Sequence, residues 1–166
     1  MSILLLALST VGACAPSAPR ALIAGQDSCA YCRMTISDVR FGAQYITAKG
    51  VIHTFDSVEC LAAFLATLPA STPATGGFVT DFNNTDTRVA AEDAIYLVDG
   101  RIESPMGRRV VAFAPSANSE SLVAEYGGSV QTWPDVRKLL AADTSTQGIA
   151  HSHAHAPASA SSPGRR

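Results

Sequence analysis

Two thiols and a thioether fall within six residues, in Cys29-Ala30-Tyr31-Cys32-Arg33-Met34, and any fold of this chain must accommodate them. The concentration is not a composition effect, because the whole chain has only 4 cysteines and 3 methionines, one of them the first residue. Cysteine and methionine both pack readily in cores, so a plain core segment is the alternative to weigh. Here they lie at the start of the folded region, without helical periodicity, beside Tyr31 and Arg33. Thiolate and thioether sulfurs are soft donors, and together they select soft metals, Cu(I) above all. Two thiols alone would leave zinc and disulfide chemistry equally open. The methionine shifts the balance, because Zn²⁺ takes thiolate, imidazole and carboxylate and seldom a thioether. Cys29, Cys32 and Met34 are therefore candidate Cu(I) ligands on a loop or first turn. Arg33 and a nearby helix N-terminus would favour the metal-binding thiolate.

The compartment is read from the first residues. The run Ile3 to Leu8 is apolar but far shorter than the ~20 residues of a spanning helix. Small residues follow it, as at a secretory cleavage site, and Val11-Gly12-Ala13-Cys14 resembles a bacterial lipobox in which Cys14 is lipidated. Residues 1–13 are thus expected to be a lipoprotein-type signal peptide and 14–27, rich in Ala, Pro and Ser, a flexible tether. The expected location is periplasmic, with the lipid anchored in a bacterial membrane, the outer one by preference. With Cys14 lipidated, Cys29, Cys32 and Cys60 remain, an odd number that in an oxidising compartment calls for a metal or burial. A net charge of −2 argues against nucleic acid as a partner.

Residues 28–142 read as one domain. Phe41 to Ala48 and Val51 to Phe55, joined by Lys49-Gly50, predict a β-hairpin. Asp56 is expected to cap a helix with Glu59 as its partner, and Val58, Leu61, Ala62 and Leu65 form its core stripe. Phe78–Phe82, Ala94–Val98, Arg109–Ala114 and Ser129–Trp133 read as strands, with a turn at Asn83–Asp86. A helix over 118–126 should bury Leu122, Val123 and Tyr126 and end at Gly127-Gly128. A last helix opens at Pro134, with Val136, Leu139 and Leu140 inward. The class is α+β, a mostly antiparallel sheet or sheets with helices packed on one face. A loose echo, strand then helix after Thr54-Phe55-Asp56 and again after Thr132-Trp133, suggests two ββα-like halves.

Residues 143–166 lose apolar periodicity and read as a disordered tail. Within the tail, His151, His153 and His155 form an auxiliary metal motif, or a neutral spacer with chance histidines. Met106, between Pro105 and Gly107 and outside any apolar stripe, is the natural distant sulfur ligand. His53 is a further candidate, although a lone strand histidine is more often half-exposed surface. Cys60, on an apolar helix, reads as a core thiol.

These segments resemble the NosL family, periplasmic copper-binding lipoproteins of the nitrous oxide reductase assembly system. The resemblance rests on Cys29-Ala30-Tyr31-Cys32-Arg33-Met34-Thr35-Ile36, on Phe55-Asp56-Ser57-Val58-Glu59-Cys60, on Ala94-Ile95-Tyr96, and on Ser104-Pro105-Met106-Gly107 before Val111-Ala112-Phe113. It implies one Cu(I) per chain, with Cys32 and Met34 the best ligand positions and Cys29 and Met106 next. It also implies delivery, with a membrane ABC-type complex, toward nitrous oxide reductase, without enzymatic turnover. The chain departs from the family pattern where Arg33 replaces the usual glycine, and in its histidine-rich tail. The competing reading is a membrane-anchored thiol–disulfide oxidoreductase using Cys29 and Cys32. Such an enzyme would place Cys-x-x-Cys after a strand at the head of a helix.

Overall fold

In the computed structural model the backbone is described over residues 18–69, 71–72 and 76–152, with side chains as far as Ala142. Cys14, His153, His155, the side chain of His151 and the expected signal peptide lie outside these residues.

Lys49-Gly50 turns the chain with Gly50 at φ +80°, and the hairpin forms as β1 (Ala43–Ile46) and β2 (Ile52–Phe55), Tyr45 opposite His53. Helix α1 follows as Val58–Thr67, burying Val58, Leu61, Ala62 and Leu65 as the periodicity requires. Its cap lies one residue beyond the expected Asp56: the Ser57 side chain accepts the Cys60 N–H at 3.3 Å. Asp56 is instead buried, 2% exposed, in the strand-to-helix junction.

Strand β3 (Gly77–Asp81) pairs with β1, and β4 (Asn84–Ala90) pairs with β3, giving a four-stranded antiparallel sheet of order β2-β1-β3-β4. The turn expected over 83–86 is therefore shorter, and a strand begins inside it. β4 is a polar edge strand with little apolar alternation, and such edges resist pairing with other chains. Strands β5 (Ile95–Val98), β6 (Val111–Phe113) and β7 (Ser129–Gln131) form a second antiparallel sheet, order β6-β5-β7. Helix α2 (Ser119–Tyr126), capped by Asn118, ends at Gly127 and Gly128, with φ +70° and +78°. A Cβ at Gly128 would stand 2.3 Å from the Val98 carbonyl oxygen. Helix α3 runs Trp133–Ser152, past the point where the tail was expected to begin.

The α+β class is as expected. Within it, the second sheet is covered on both faces, since alternate residues of β5 point to different cores. Tyr96 and Val98 join α1, α3 and the first sheet in the larger cluster. Leu97 joins Phe41, Val111, Phe113 and Leu122 of α2. Tyr96 stacks on Trp133 at 5.5 Å between centroids and donates its hydroxyl to the Ala91 carbonyl at 2.7 Å. Helical side chains point somewhat differently from expectation, with Val123 and Leu139 exposed.

The expected tether is folded from Arg20 onward. Arg20 pairs with Asp27 at 2.6 Å, Gln44 bonds both backbone groups of Arg20, and Leu22 is buried. Composition over 14–27 concealed one buried leucine and one ion pair.

Candidate metal centre

The sulfur segment forms a small hairpin of its own. Ser28 bridges Thr35, the Cys29 N–H donates to the Met34 carbonyl at 2.8 Å, and the Arg33 N–H donates to the Cys29 carbonyl at 3.1 Å. Arg33 closes the turn at φ +67°. The loop is docked on the end of β2, because the Ala30 N–H reaches the Thr54 carbonyl and the Thr54 hydroxyl reaches the Ser28 carbonyl, each at 2.8 Å.

Because α1 starts three residues beyond Phe55, docking on β2 also places the loop beside the first turn of that helix. Cys60, in that turn, meets the loop: the sulfurs of Cys29, Cys32 and Cys60 all lie within 4.8 Å of one another. Cys60 is the residue that sequence reasoning left in the core. It is fully buried, as a core thiol would be, yet its sulfur faces two others. Docking of the loop on Thr54, which no local pattern announces, brings it there. All three are free thiols, Cys29 and Cys60 buried and Cys32 half-buried.

The cluster's negative charge is directed to Cys29. The Cys60 thiol donates to its sulfur, and this outweighs burial; backbone N–H groups of Asp56, Cys32 and Tyr31 add to it, holding the Cys29 pKa well below the usual thiol range. The Cys32 N–H lies 3.5 Å from the Cys29 sulfur. These donors favour the Cys29 thiolate, a part expected of Arg33 and a helix N-terminus. Cys60 is pushed up by its hydrogen bond to Cys29 and by burial, and Cys32 chiefly by burial. Burial, and then the Cys29 charge, push up the Asp56 carboxyl.

Met34 lies on the return arm of the loop, its carbonyl paired with the Cys29 N–H, and is 60% exposed. Met106, 39% exposed, lines a cavity of about 820 Å³ together with Tyr31, Glu59, Cys60 and Trp133. His53 is placed elsewhere. Its ring packs on Phe64 at 5.2 Å and Tyr45 at 6.4 Å between centroids, outside the thiol cluster.

Three thiolates around one ion at about 2.3 Å would stand about 4 Å apart in a trigonal set, a separation the cluster can reach with small side-chain adjustments. The donor set is soft throughout, which suits a monovalent coinage metal. The oxidoreductase arrangement is not met, since Cys29 and Cys32 occupy a hairpin loop and the helix head carries Cys60. Among the described residues no helix is long and apolar enough to cross a membrane.

The family model described as NosL matches residues 20–141. The crystal structure of the copper chaperone NosL from Shewanella denitrificans superposes with a TM-score of 0.58 at 21% identity. The alignment covers 71% of this chain and 94% of that one, so the two share a fold. Among curated proteins none matches.

Proposed function

This chain belongs to the NosL family, and on that premise we propose that it is a Cu(I)-binding metallochaperone serving the maturation of nitrous oxide reductase. The observation that carries the reading is the convergence of Cys29, Cys32 and Cys60 to within 4.8 Å, with Met34 exposed on the same loop and Met106 lining a cavity with Cys60. Copper is cargo here. The buried pair, Cys29 and Cys60, holds it from inside, while Cys32 and Met34 face the side from which an acceptor can add ligands. Met106 supplies a thioether from the cavity side. Low coordination with one accessible edge allows ligand exchange, whereas a closed four-ligand site would trap the metal. His53, packed between aromatic rings, is the weakest candidate ligand. The tail histidines form an auxiliary capture site, lipid on Cys14 anchors the chain in the periplasm, and the acceptor is nitrous oxide reductase through its membrane ABC-type assembly complex.

Anaerobic titration of the reduced chain with Cu(I), against a chromophoric chelator, tests this reading. One tightly held Cu(I), weakened in Cys32→Ala and in Met34→Ala, is expected. A chain that ignores Cu(I), or binds it equally well without these sulfurs, would falsify the proposal.

A further inference from the structure

A buried carboxylate stands next to the thiol cluster with no role in it so far. Glu59, one residue before Cys60, is 5% exposed, and its Oε2 has no hydrogen-bond partner. Leaving a carboxylate oxygen buried and unpaired costs free energy, which an apolar residue at this helix position would avoid. First-turn acids do favour the helix dipole, but they do so from an exposed face as well, without the cost of an unpaired buried oxygen. Burial at this position therefore has another cause, and Ser104 supplies it. The Ser104 hydroxyl donates to Glu59 Oε1 across 45 residues of sequence. The same Ser104 oxygen accepts the Arg109 N–H at 2.9 Å, and the Ser104 carbonyl accepts the Gly107 N–H at 2.9 Å. Both shoulders of the Ser104-Pro105-Met106-Gly107 loop are thus tied to one hinge. Two left-handed residues follow Met106, Gly107 at φ +73° and Arg109 at φ +54°, so the segment needs such an anchor to keep one shape. The anchor stands on the helical turn that carries Cys60, and Glu59, Cys60 and Met106 line one cavity.

We propose that Glu59, through Ser104, is the positioning residue that holds the Met106 thioether toward the thiol cluster. This deepens the copper reading and rests on it. Partners behind metal ligands typically change metal affinity by about 10- to 100-fold when removed. Glu59→Ala and Ser104→Ala should therefore each weaken Cu(I) binding by about tenfold. Glu59→Gln, whose amide oxygen still accepts the Ser104 hydroxyl, should stay near wild type. Glu59→Ala combined with Met106→Leu should bind no more weakly than Met106→Leu alone, because both remove one contact. Copper X-ray absorption should show the sulfur scattering reduced in Glu59→Ala to the same extent as in Met106→Leu, a signature that general destabilisation would not produce.

The measurement is Cu(I) competition on the reduced full chain, with thermal melts of each variant. Additive losses in the double variant overturn the inference. So does unchanged affinity in Glu59→Ala and Ser104→Ala while Cys32→Ala still weakens binding. If Glu59→Ala does not fold, Ser104→Ala decides alone, since it breaks the same bond from the loop side. A wild-type chain without Cu(I) affinity overturns the copper reading and this inference together.

Discussion

Arg33 holds a left-handed backbone at φ +67°, between Cys32 and Met34. A side chain in that region costs roughly 1–2 kcal/mol. Glycine relieves this but gains freedom in the unfolded chain, which takes back about 0.4–1 kcal/mol. Arg33→Gly is therefore expected to stabilise the reduced apo chain by about 0.5 kcal/mol, raising its melting temperature by about 2 °C. A lower melting temperature would show that Arg33 makes compensating contacts. Cys60 poses the sharper question at this scale, because full burial suits a core thiol and a ligand equally. Cys60→Ala should cost about 1 kcal/mol of apo stability, a common figure for one core change, and should also weaken Cu(I) binding. Reduced stability with unchanged Cu(I) affinity would return Cys60 to the core.

Two elements give the site its frame, the head of α1 and the strap leading into the sulfur loop. Ser57 caps the helix through the Cys60 N–H, so Ser57→Ala is expected to destabilise the chain by about 1 kcal/mol, measured by denaturant unfolding. The strap depends on the Asp27 carboxylate, which accepts from Arg20 and from the Ile23 N–H at 2.7 Å. Its hydrogen bond to Arg20, joined by the Ile23 N–H, holds its pKa below the ordinary carboxylate value. A carboxylate depressed on folding adds stability above its unfolded pKa of about 3.9 and loses it as pH falls through the folded value. Asp27→Asn should thus melt below wild type at pH 7, and the gap should close as pH falls below about 4. A gap that persists at low pH would assign the effect to packing. These elements also show what sequence can reveal. The apolar stripe of α1 and the Lys49-Gly50 turn are local and were legible. The polar edge strand β4 has no alternation to read, because its place is set by pairing with β3. The Asp56 cap was one residue off because Asp56 and Ser57 are both good caps, and burial of Asp56 decides between them.

At the scale of the whole molecule, the candidate site is made by tertiary closure, which explains why sequence left Cys60 out of it. Cys29, Cys32 and Met34 sit together in the chain and announce themselves, and Met106 stands out between Pro105 and Gly107; Cys60 arrives on another element, through a contact that local patterns do not encode. The same geometry makes a thermodynamic prediction. In the unfolded chain Cys60 is separated from the sulfur loop by the β-hairpin segment and cannot reliably share an ion with it, so on the proposed reading Cu(I) should bind the folded state preferentially. Binding to one state stabilises it by mass action, about 2.7 kcal/mol when free ligand is 100 times the dissociation constant. At the usual conversion for a domain of this size, the melting temperature should rise by about 10 °C on loading and fall back when a chelator removes the metal. Cys60→Ala should lose part of this rise, since the ion then no longer ties the loop to α1. An equal rise in both proteins would mean that the loop binds copper by itself, and that α1 only shields it.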